Sequence, residues 1–191
     1  HLDPTALEPL LDETVRLVCF PHCSNVVGEI NPVTEITALA HAAGAFVCVD
    51  GVSYAPHGLP NVGELGPDIY LFSAYKTYGP HQGIMVVNPA LAELLPNQAH
   101  VFNGDVPYKK FTPAGPDHAQ VAACAGMVDY FESVARHHGA AGTSGAEMGS
   151  FVHDLMRQHE IGLLQPLLDA VKDRNDLRLL GPSRAEDRAP T

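Results

Sequence analysis

A short apolar run that ends in a carboxylate constrains the fold of this chain more than any other feature. Residues 46–50 are apolar except for Asp50 at the end, a pattern typical of a buried parallel strand with a polar group at its carboxyl end. Similar apolar runs occupy residues 16–20, 69–72 and 83–87, and helical spacing appears between the first two runs. We therefore predict an α/β fold of three layers, α/β/α, with a mainly parallel sheet.

Helix boundaries are marked by residues that favour helix ends. We expect Asn31 to cap a helix whose first position is Pro32, because an asparagine side chain satisfies free N–H groups and proline needs none. Gly44 is expected to end this helix. A longer helical stretch is predicted near residues 117–137.

A Gly-rich stretch at residues 139–145 divides the chain. A second long helix is predicted near residues 145–173, followed by a strand-like run at residues 177–180. We therefore expect two parts, a large-domain portion at 1–140 and a long connecting helix with the start of a C-terminal small domain at 145–191.

Charge and hydropathy exclude several classes of partner. The chain has 22 acidic and 11 basic side chains, and a formal net charge of −11, which disfavours binding to nucleic acid or anionic lipid. No stretch approaches the roughly 20 apolar residues that span a membrane, and no basic-then-apolar leader begins the sequence. We expect no membrane partner and a cytoplasmic location.

Cysteine and histidine spacing does not predict a metal site. The 11 histidines form no His-Glu-x-x-His pattern, and the cysteines show no Cys-x-x-Cys pair. We expect no catalytic metal and buried, reduced thiols at Cys19, Cys23, Cys48 and Cys124.

Two chemically distinctive residues follow neighbouring apolar runs. Ligands in open α/β sheets bind beyond the carboxyl ends of parallel strands, and Asp50 and Lys76 both lie at such ends. Asp50 can pair with a protonated pyridine nitrogen, or it can simply cap a turn, since Asp-Gly is a common turn pair. The Lys76 amine can form an imine with an aldehyde cofactor, although a surface lysine in a Gly/Pro loop is the alternative.

Four motifs together resemble one enzyme family. They are HCSNVVG at residues 22–28, AHAAGA at 40–45, VDG at 49–51 and SAYKTYGP at 73–80. Their order and gaps are similar to those of the class V aminotransferase and cysteine desulfurase family. The resemblance implies pyridoxal 5′-phosphate (PLP) as cofactor, and the type I fold of PLP-dependent transferases.

The resemblance also implies roles for individual residues. The lysine that matches Lys76 holds PLP as an internal aldimine, and the aspartate that matches Asp50 pairs with the pyridine nitrogen. The residue that matches Asn25 lies near the ring hydroxyl, and that matching Ser73 donates to the phosphate. Tyr75 stands where many members have histidine, and a second phosphate contact is implied there, since tyrosine can also hydrogen-bond a phosphate oxygen.

This chain departs from the family pattern at two other places. Ser53 stands where many members have a glutamine that contacts the ring hydroxyl, and serine reaches less far. Residues 111–116 stand where relatives often carry a Gly-Thr pair that reaches the neighbouring subunit's phosphate, but Pro116 has no N–H or hydroxyl. Family members are usually homodimers, so a homodimer is expected.

The expected function follows from the resemblance. We expect a PLP-dependent enzyme acting on a small amino acid, with cysteine desulfurase-like C–S or C–Se cleavage as the first hypothesis. Class V aminotransferase or epimerase activity is the alternative, and a non-catalytic scaffold or inactive fragment is the alternative of another class. The family is about twice this long, so its N-terminal part, most of its C-terminal domain and its persulfide cysteine are expected to lie outside this chain.

Overall fold

A four-stranded sheet forms the centre of the protein in a computed structural model, which describes residues 2–112, 114–140, 142 and 144–190. The strands are β1 (Leu17–Pro21), β2 (Phe46–Asp50), β3 (Ile69–Ser73) and β4 (Gly83–Val87), and their order in the sheet follows the chain. β2 pairs in parallel with β1 and with β3, whereas β4 is antiparallel to β3. The predicted α/β class with a mainly parallel sheet is confirmed.

Seven α-helices flank the sheet within the described residues. Six short 3₁₀ helices connect them, at Glu8–Leu10, Ala55–His57, Ala74–Lys76, Val101–Asn103, Pro107–Lys109 and Ala185–Asp187. The α-helices are α1 (Pro4–Leu7), α2 (Val33–Ala42), α3 (Val62–Leu65), α4 (Pro89–Leu94), α5 (His118–Ala123), α6 (Ala125–His137) and α7 (Gly145–Lys172).

The start of α2 differs from the prediction, and its end does not. Asn31 does not cap the helix: its side-chain amide donates to the carbonyl oxygen of Pro21 at 2.7 Å, and Pro32 occupies the N-cap position without a side-chain hydrogen bond. The Asn31 side chain therefore ties the loop before α2 to the end of β1. At the other end, Gly44 follows the last turn with a φ of 80°, a conformation that favours glycine.

The C-terminal third also differs from its prediction in part. The expected helix near residues 117–137 is broken at Cys124 into α5 and α6. α7 begins at a capping box, in which Ser144 and Glu147 satisfy each other's backbone N–H groups. The predicted strand at residues 177–180 is wrong: this segment has no regular secondary structure, and its apolar side chains are largely exposed instead of pairing with a sheet edge.

The sheet buries one face much more than the other. Val47, Val49 and Tyr70 are completely buried and pack with Phe72 and residues of α2 in the main apolar core. Side chains alternate across a strand, so the intervening residues lie on the opposite face. That face is only half covered in this chain: its members include Leu17, Cys19, Phe46, Cys48, Ile69, Leu71 and Met85.

The thiols follow this division. Cys23 is buried, whereas Cys48 and Cys124 are partly exposed. The expectation of a buried thiol is wrong for Cys19, which is exposed because it lies on the half-covered face of the edge strand β1.

The last described residues return to the first part of the chain. The Ala189 amide donates to the carbonyl oxygen of Gly28 at 2.7 Å, and Arg157 of α7 donates to the carbonyl oxygen of Arg188 at 3.2 Å. The division into portions at 1–140 and 145–191 stays a prediction. None of the helices in the described part of the chain has the length and apolar character needed to cross a membrane.

Candidate active site at one edge of the sheet

Backbone hydrogen bonds join the carboxyl ends of β1 and β2 to each other and to the middle of β3. The His22 amide, just after β1, donates to the carbonyl oxygen of Asp50 at 2.8 Å. The Gly51 amide, just after β2, donates to the carbonyl oxygen of Leu71 at 2.7 Å. The loops that follow β1 and β2 therefore start side by side, whereas β3 continues for two more residues, to Ser73, before its loop begins.

Asp50 uses one carboxylate oxygen locally. Its Oδ1 accepts a hydrogen bond from the Val52 amide at 2.9 Å, so the turn-capping role expected for an Asp-Gly pair is present. Among the described residues, its other carboxylate oxygen has no hydrogen-bond partner, and the residue is exposed. The carboxylate can therefore cap the turn and still accept a proton donor from a ligand.

Gly51 is required by the close approach of an aromatic ring. A Cβ atom at this position would lie 2.2 Å from atoms of the Tyr70 ring, so any larger residue would displace either the ring or the turn. Tyr70, the second residue of β3, is completely buried. The turn that carries Asp50 thus rests directly on the core.

Tyr70 also holds a buried histidine. Its hydroxyl lies 2.8 Å from Nδ1 of His22, whose ring stacks on Tyr54 at 3.7 Å between centroids. Burial, with a smaller effect of His153, lowers the pKa of His22 to about 4, and burial raises the pKa of Tyr70. Both groups are neutral near pH 7, so a single proton lies between the Tyr70 hydroxyl oxygen and His22 Nδ1, and the tautomer of His22 decides which of the two donates.

The turn that carries Lys76 is fixed on both sides of the lysine. The amides of Thr77 and Gly79 both donate to the carbonyl oxygen of Ala74 at 2.8 Å, and the Thr77 hydroxyl donates to the Ser73 carbonyl oxygen at 3.0 Å. Thr77 is completely buried, whereas Lys76 is exposed. The backbone around Lys76 is therefore ordered while its amine remains accessible.

Tyr75 and Ser73 flank this lysine differently. Tyr75 is 48% exposed, and its ring stacks on His81 at 4.5 Å with an interplanar angle of 6°. Ser73 is partly buried at the end of β3, and its side chain makes no capping hydrogen bond to the following 3₁₀ helix. Both hydroxyls thus lie within three residues of Lys76 on the same edge of the sheet.

The turn that carries Asn25 is held by its neighbour. The Ser24 hydroxyl accepts hydrogen bonds from the amides of Val26 and Val27, at 3.3 and 3.2 Å, which leaves Asn25 exposed at the tip. This turn is linked to Ser53, because the Cys23 thiol lies 3.4 Å from the carbonyl oxygen of Ser53.

These side chains fit the functional groups of PLP. Asp50 offers a carboxylate oxygen for a protonated pyridine nitrogen, and Lys76 offers an exposed primary amine for the aldehyde. Ser73 and Tyr75 offer hydroxyl groups for a phosphate. The individual roles stay predictions, since the fit rests on the chemistry of the donors and on their shared edge.

A buried layer beneath this edge was not predicted from the sequence. His22, Tyr54 and Tyr70 form it, and the Tyr54 hydroxyl lies 3.3 Å from Nε2 of His153 in α7. His22 and Tyr54, with residues of α3 and α7, also line a cavity of about 570 Å³; neither Asp50 nor Lys76 lines it. One sequence signal could have indicated this layer: Tyr70 is a polar aromatic residue inside an apolar strand, and it lies opposite the Asp50-Gly51 pair.

Metal ligands do not gather in this region. Within the described ranges, no group of three or more histidine, cysteine, aspartate or glutamate side chains is placed to hold a metal ion.

Comparison with known protein families agrees with this geometry. The family model described as aminotransferase class-V matches residues 1–105, which include the Asp50 and Lys76 turns. This chain belongs to the class-V aminotransferase family. The region matched by the family model includes all four strands and the residues of the candidate active site.

Individual relatives carry two kinds of name. The aminotransferase-like protein FGM3 of Gibberella zeae is 46% identical over 105 residues, which are 54% of this chain and 26% of that protein. A cysteine desulfurase of Yersinia pestis is 31% identical over 96% of this chain and 44% of its own length. The chain therefore spans less than half of the curated relatives it matches.

A solved structure shows the same fold. The apo cysteine desulfurase from Thermococcus onnurineus NA1 matches with a TM-score of 0.72 and 21% identity, over 99% of this chain and 46% of that one. The likeness extends through α7 to the last described residues, so the fold prediction is confirmed along the chain.

Proposed function

We propose that this chain supplies the lysine that attaches PLP, Lys76, and the partner of its ring nitrogen, Asp50, in an enzyme that acts on a small amino acid. The observation that carries the proposal is the shared edge: an exposed amine in an ordered turn and a carboxylate with a free oxygen follow neighbouring parallel strands. The proposed reaction is cleavage of a C–S or C–Se bond by a cysteine desulfurase-like lyase. The names of the relatives that cover most of this chain support that choice.

Asp50 and Lys76 have different roles at the reacting atoms. Bound PLP supplies an electron-accepting ring next to the α-carbon of the substrate. The Asp50 carboxylate accepts a hydrogen bond from the protonated ring nitrogen and so keeps that proton in place. The Lys76 amine takes the proton from the α-carbon of the substrate as a general base.

The remaining residues bind and orient the cofactor. Ser73 and Tyr75 donate hydrogen bonds to the phosphate, and Asn25 contacts the ring hydroxyl. The Ser53 hydroxyl is the weaker contact to that ring, because a serine is shorter than the glutamine found in many members of the family. These four contacts support affinity and orientation more than proton transfer.

The test is covalent trapping of PLP on the complete protein. PLP is added, the protein is reduced with borohydride, and the modified peptide is mapped by mass spectrometry. We expect a pyridoxyl group on Lys76, its loss in Lys76→Ala, and no change in the control Lys109→Ala, whose side chain lies over the Tyr108 ring. A label on another lysine, or none at all, would leave a non-catalytic scaffold as the better assignment.

A second candidate reaction is transamination or epimerisation. The aminotransferase-like name of the Gibberella zeae relative favours it, because that relative has the higher identity in the region of the site. Incubation of the PLP-loaded protein with cysteine, selenocysteine and alanine separates the reactions, when a thiol reductant such as dithiothreitol supplies the two electrons that convert the released sulfur or selenium to sulfide or selenide. Sulfide or selenide release supports the lyase, a keto acid supports the transaminase, and loss of optical rotation without either product supports the epimerase.

Assembly, domain structure and location are part of the same proposal. We infer a cytoplasmic homodimer in which residues 145–191 lead into the C-terminal small domain. Exposed apolar side chains at Val101 and Phe102 support an association between subunits. Light scattering of the purified complete protein and fractionation of cells test these statements directly.

A further inference from the structure

The residue two positions after Lys76 has an unusual backbone conformation. Tyr78 has a φ of 65°, and it is the only non-glycine residue in the described part of the chain with a positive φ. Bulky L-residues avoid this region because the Cβ atom approaches the backbone too closely. Glycine would adopt the conformation without strain, so the tyrosine side chain must compensate through its contacts.

The side chain of Tyr78 makes three such contacts. Its ring packs on Tyr130 of α6 at 4.7 Å between centroids and meets the edge of Phe131 at 6.1 Å. Its hydroxyl donates to the carbonyl oxygen of Pro56 at 3.3 Å. Burial, with smaller effects of Tyr130 and Glu160, raises the pKa of the phenol, so the group remains a donor near neutral pH.

The contact to Pro56 joins the two halves of the candidate site. Pro56 lies in the short helix Ala55–His57, which begins two residues after Ser53 and follows the Asp50 turn. Tyr78 lies in the turn that carries Lys76. One side chain therefore connects the lysine turn, the aspartate loop and helix α6.

The backbone on the other side of Tyr78 is equally confined. A Cβ atom at Gly79 would lie 2.5 Å from the sulfur of Met127 in α6, so this turn approaches the helix as closely as glycine allows. Lys76 is thus followed by a buried threonine, an anchored tyrosine and a glycine that packs against α6.

We propose that Tyr78 is a positioning residue: it anchors the Lys76 turn to α6 and to the loop after Asp50, and so fixes the lysine amine relative to the Asp50 carboxylate. The inference rests on the proposed role of Lys76 and deepens it. If Tyr78 had no positioning role, Tyr78→Gly would leave the Lys76 turn as well ordered as in wild type, because glycine relieves the backbone strain.

The first test measures the turn itself in the complete protein without added PLP. Hydrogen exchange at the Thr77 and Gly79 amides is followed in Tyr78→Phe, Tyr78→Gly and Tyr78→Ala. We expect exchange about 10-fold faster in the Ala variant, which keeps the strain and loses the anchor, and clearly faster in the Gly variant. The Phe variant keeps the ring contacts with α6 but loses the hydrogen bond to Pro56, so its exchange should be about 3-fold faster than in wild type.

The second test measures the lysine. The rate at which added PLP becomes reducible by borohydride on Lys76 should fall about 10-fold in the Ala and Gly variants, because the amine is no longer held in one orientation. In Tyr78→Phe this rate should fall less, by about 3-fold, because only the hydrogen bond to Pro56 is lost. Tyr108→Ala and Tyr108→Phe are the matched controls, since Tyr108 is 81% exposed, and both should behave as wild type in the two tests.

The outcomes separate the two proposals. If wild-type protein takes no PLP on Lys76, the proposed function fails, and the exchange rates still decide whether Tyr78 anchors the turn. If the Gly variant exchanges as slowly as wild type, the anchor is overturned. If exchange is faster but the attachment rate is unchanged, Tyr78 is a structural residue of the turn, and its positioning role is overturned.

Discussion

The two faces of the central sheet differ in what they carry. One face buries Val47, Val49 and Tyr70 completely, and its apolar contacts with α2 supply the main core. The other face is half covered in this chain, with Cys19 exposed and Met85 45% exposed. Asp50 lies on this second face at its carboxyl end, so the chain separates the residues that hold the fold from those proposed to hold the cofactor.

The largest expected effect compares a core residue with one on the half-covered face. Phe72→Ala should lower the free energy of unfolding by roughly 3–5 kcal/mol, because it removes a buried aromatic ring and leaves a cavity. Met85→Ala, two positions from the end of β4, should cost less than about 1 kcal/mol, since its side chain is already exposed. Urea unfolding of both variants measures the difference, and equal losses would contradict the division between the faces.

A second effect depends on pH and on the buried side of the sheet. The pKa of His22 is about 4 in the folded protein and near its ordinary value of 6.5 in the unfolded chain. The unfolded chain therefore binds more protons below pH 6.5, so stability is full above this pH and is lost as the pH falls towards 4.

The size of this loss is roughly 2–4 kcal/mol, from the separation of the two pKa values. Unfolding free energies at pH 7, 5.5 and 4.5 should fall steeply in wild type and in the control His100→Gln, whose histidine is exposed. The slope should be flatter in His22→Gln. Parallel slopes in all three proteins would show that His22 is not the titrating group.

A third comparison uses two glycines at strand ends. Gly51→Ala should cost about 1–3 kcal/mol, because the new Cβ atom would overlap the Tyr70 ring, and it should also weaken PLP attachment by moving the Asp50 turn. Gly83→Ala is the control: no atom lies within 4 Å of the position its Cβ would take, and the change should stay within about 0.5 kcal/mol. Thermal unfolding of the two variants is sufficient, and a neutral Gly51→Ala would place the Tyr70 ring elsewhere.

The smallest expected effect does not involve stability: it is a difference in the labelling rates of two thiols, Cys19 and Cys23. Cys19 should react first with a maleimide or iodoacetamide, because it is exposed on the half-covered face. Burial raises the pKa of Cys23 to about 11, and a rise from 9.0 lowers the reactive thiolate fraction about 100-fold at pH 8. Peptide mapping during labelling gives the order, which Cys19→Ser should alter by removing the first adduct only; early labelling of Cys23 would contradict its burial.

The strands could be predicted because their signals are local. Each is an apolar run with a polar residue, glycine or proline at or near its ends, and all eight strand ends agree with the prediction to within a residue. The end of α2 at Gly44 is equally local, since a left-handed φ is needed there.

The errors arise where a distant part of the chain decides. The Asn31 side-chain amide donates to the carbonyl oxygen of Pro21, a tertiary partner, and does not cap its own helix. Residues 177–180 have the composition of a strand, but a strand needs a neighbour with free hydrogen-bonding groups, and none of the four described strands pairs with them. The β-propensity of a segment identifies a candidate strand, but it does not determine which other strand that segment pairs with.

The candidate site divides in the same way. The placement of Asp50 and Lys76 after neighbouring strands was predictable, because the sequence marks where strands end, and their roles stay predictions. The layer of His22, Tyr54 and Tyr70 was not predictable, since it is assembled from three separate segments. The role of Tyr78 depends on a φ value and on contacts to Pro56 and α6, none of which has a sequence signal.

The order of the strands also bears on how the protein folds. β1, β2, β3 and β4 lie in the sheet in the order in which they occur in the chain, so each new strand joins the one just formed and closes only a moderate loop. The contact of Ala189 with Gly28 instead joins the last described residues to the loop between β1 and α2. Closing a long loop costs chain entropy before the contact can form, so we expect the sheet to assemble early and residues 185–190 to dock last. Local unfolding of the native protein is then expected to begin at residues 185–190.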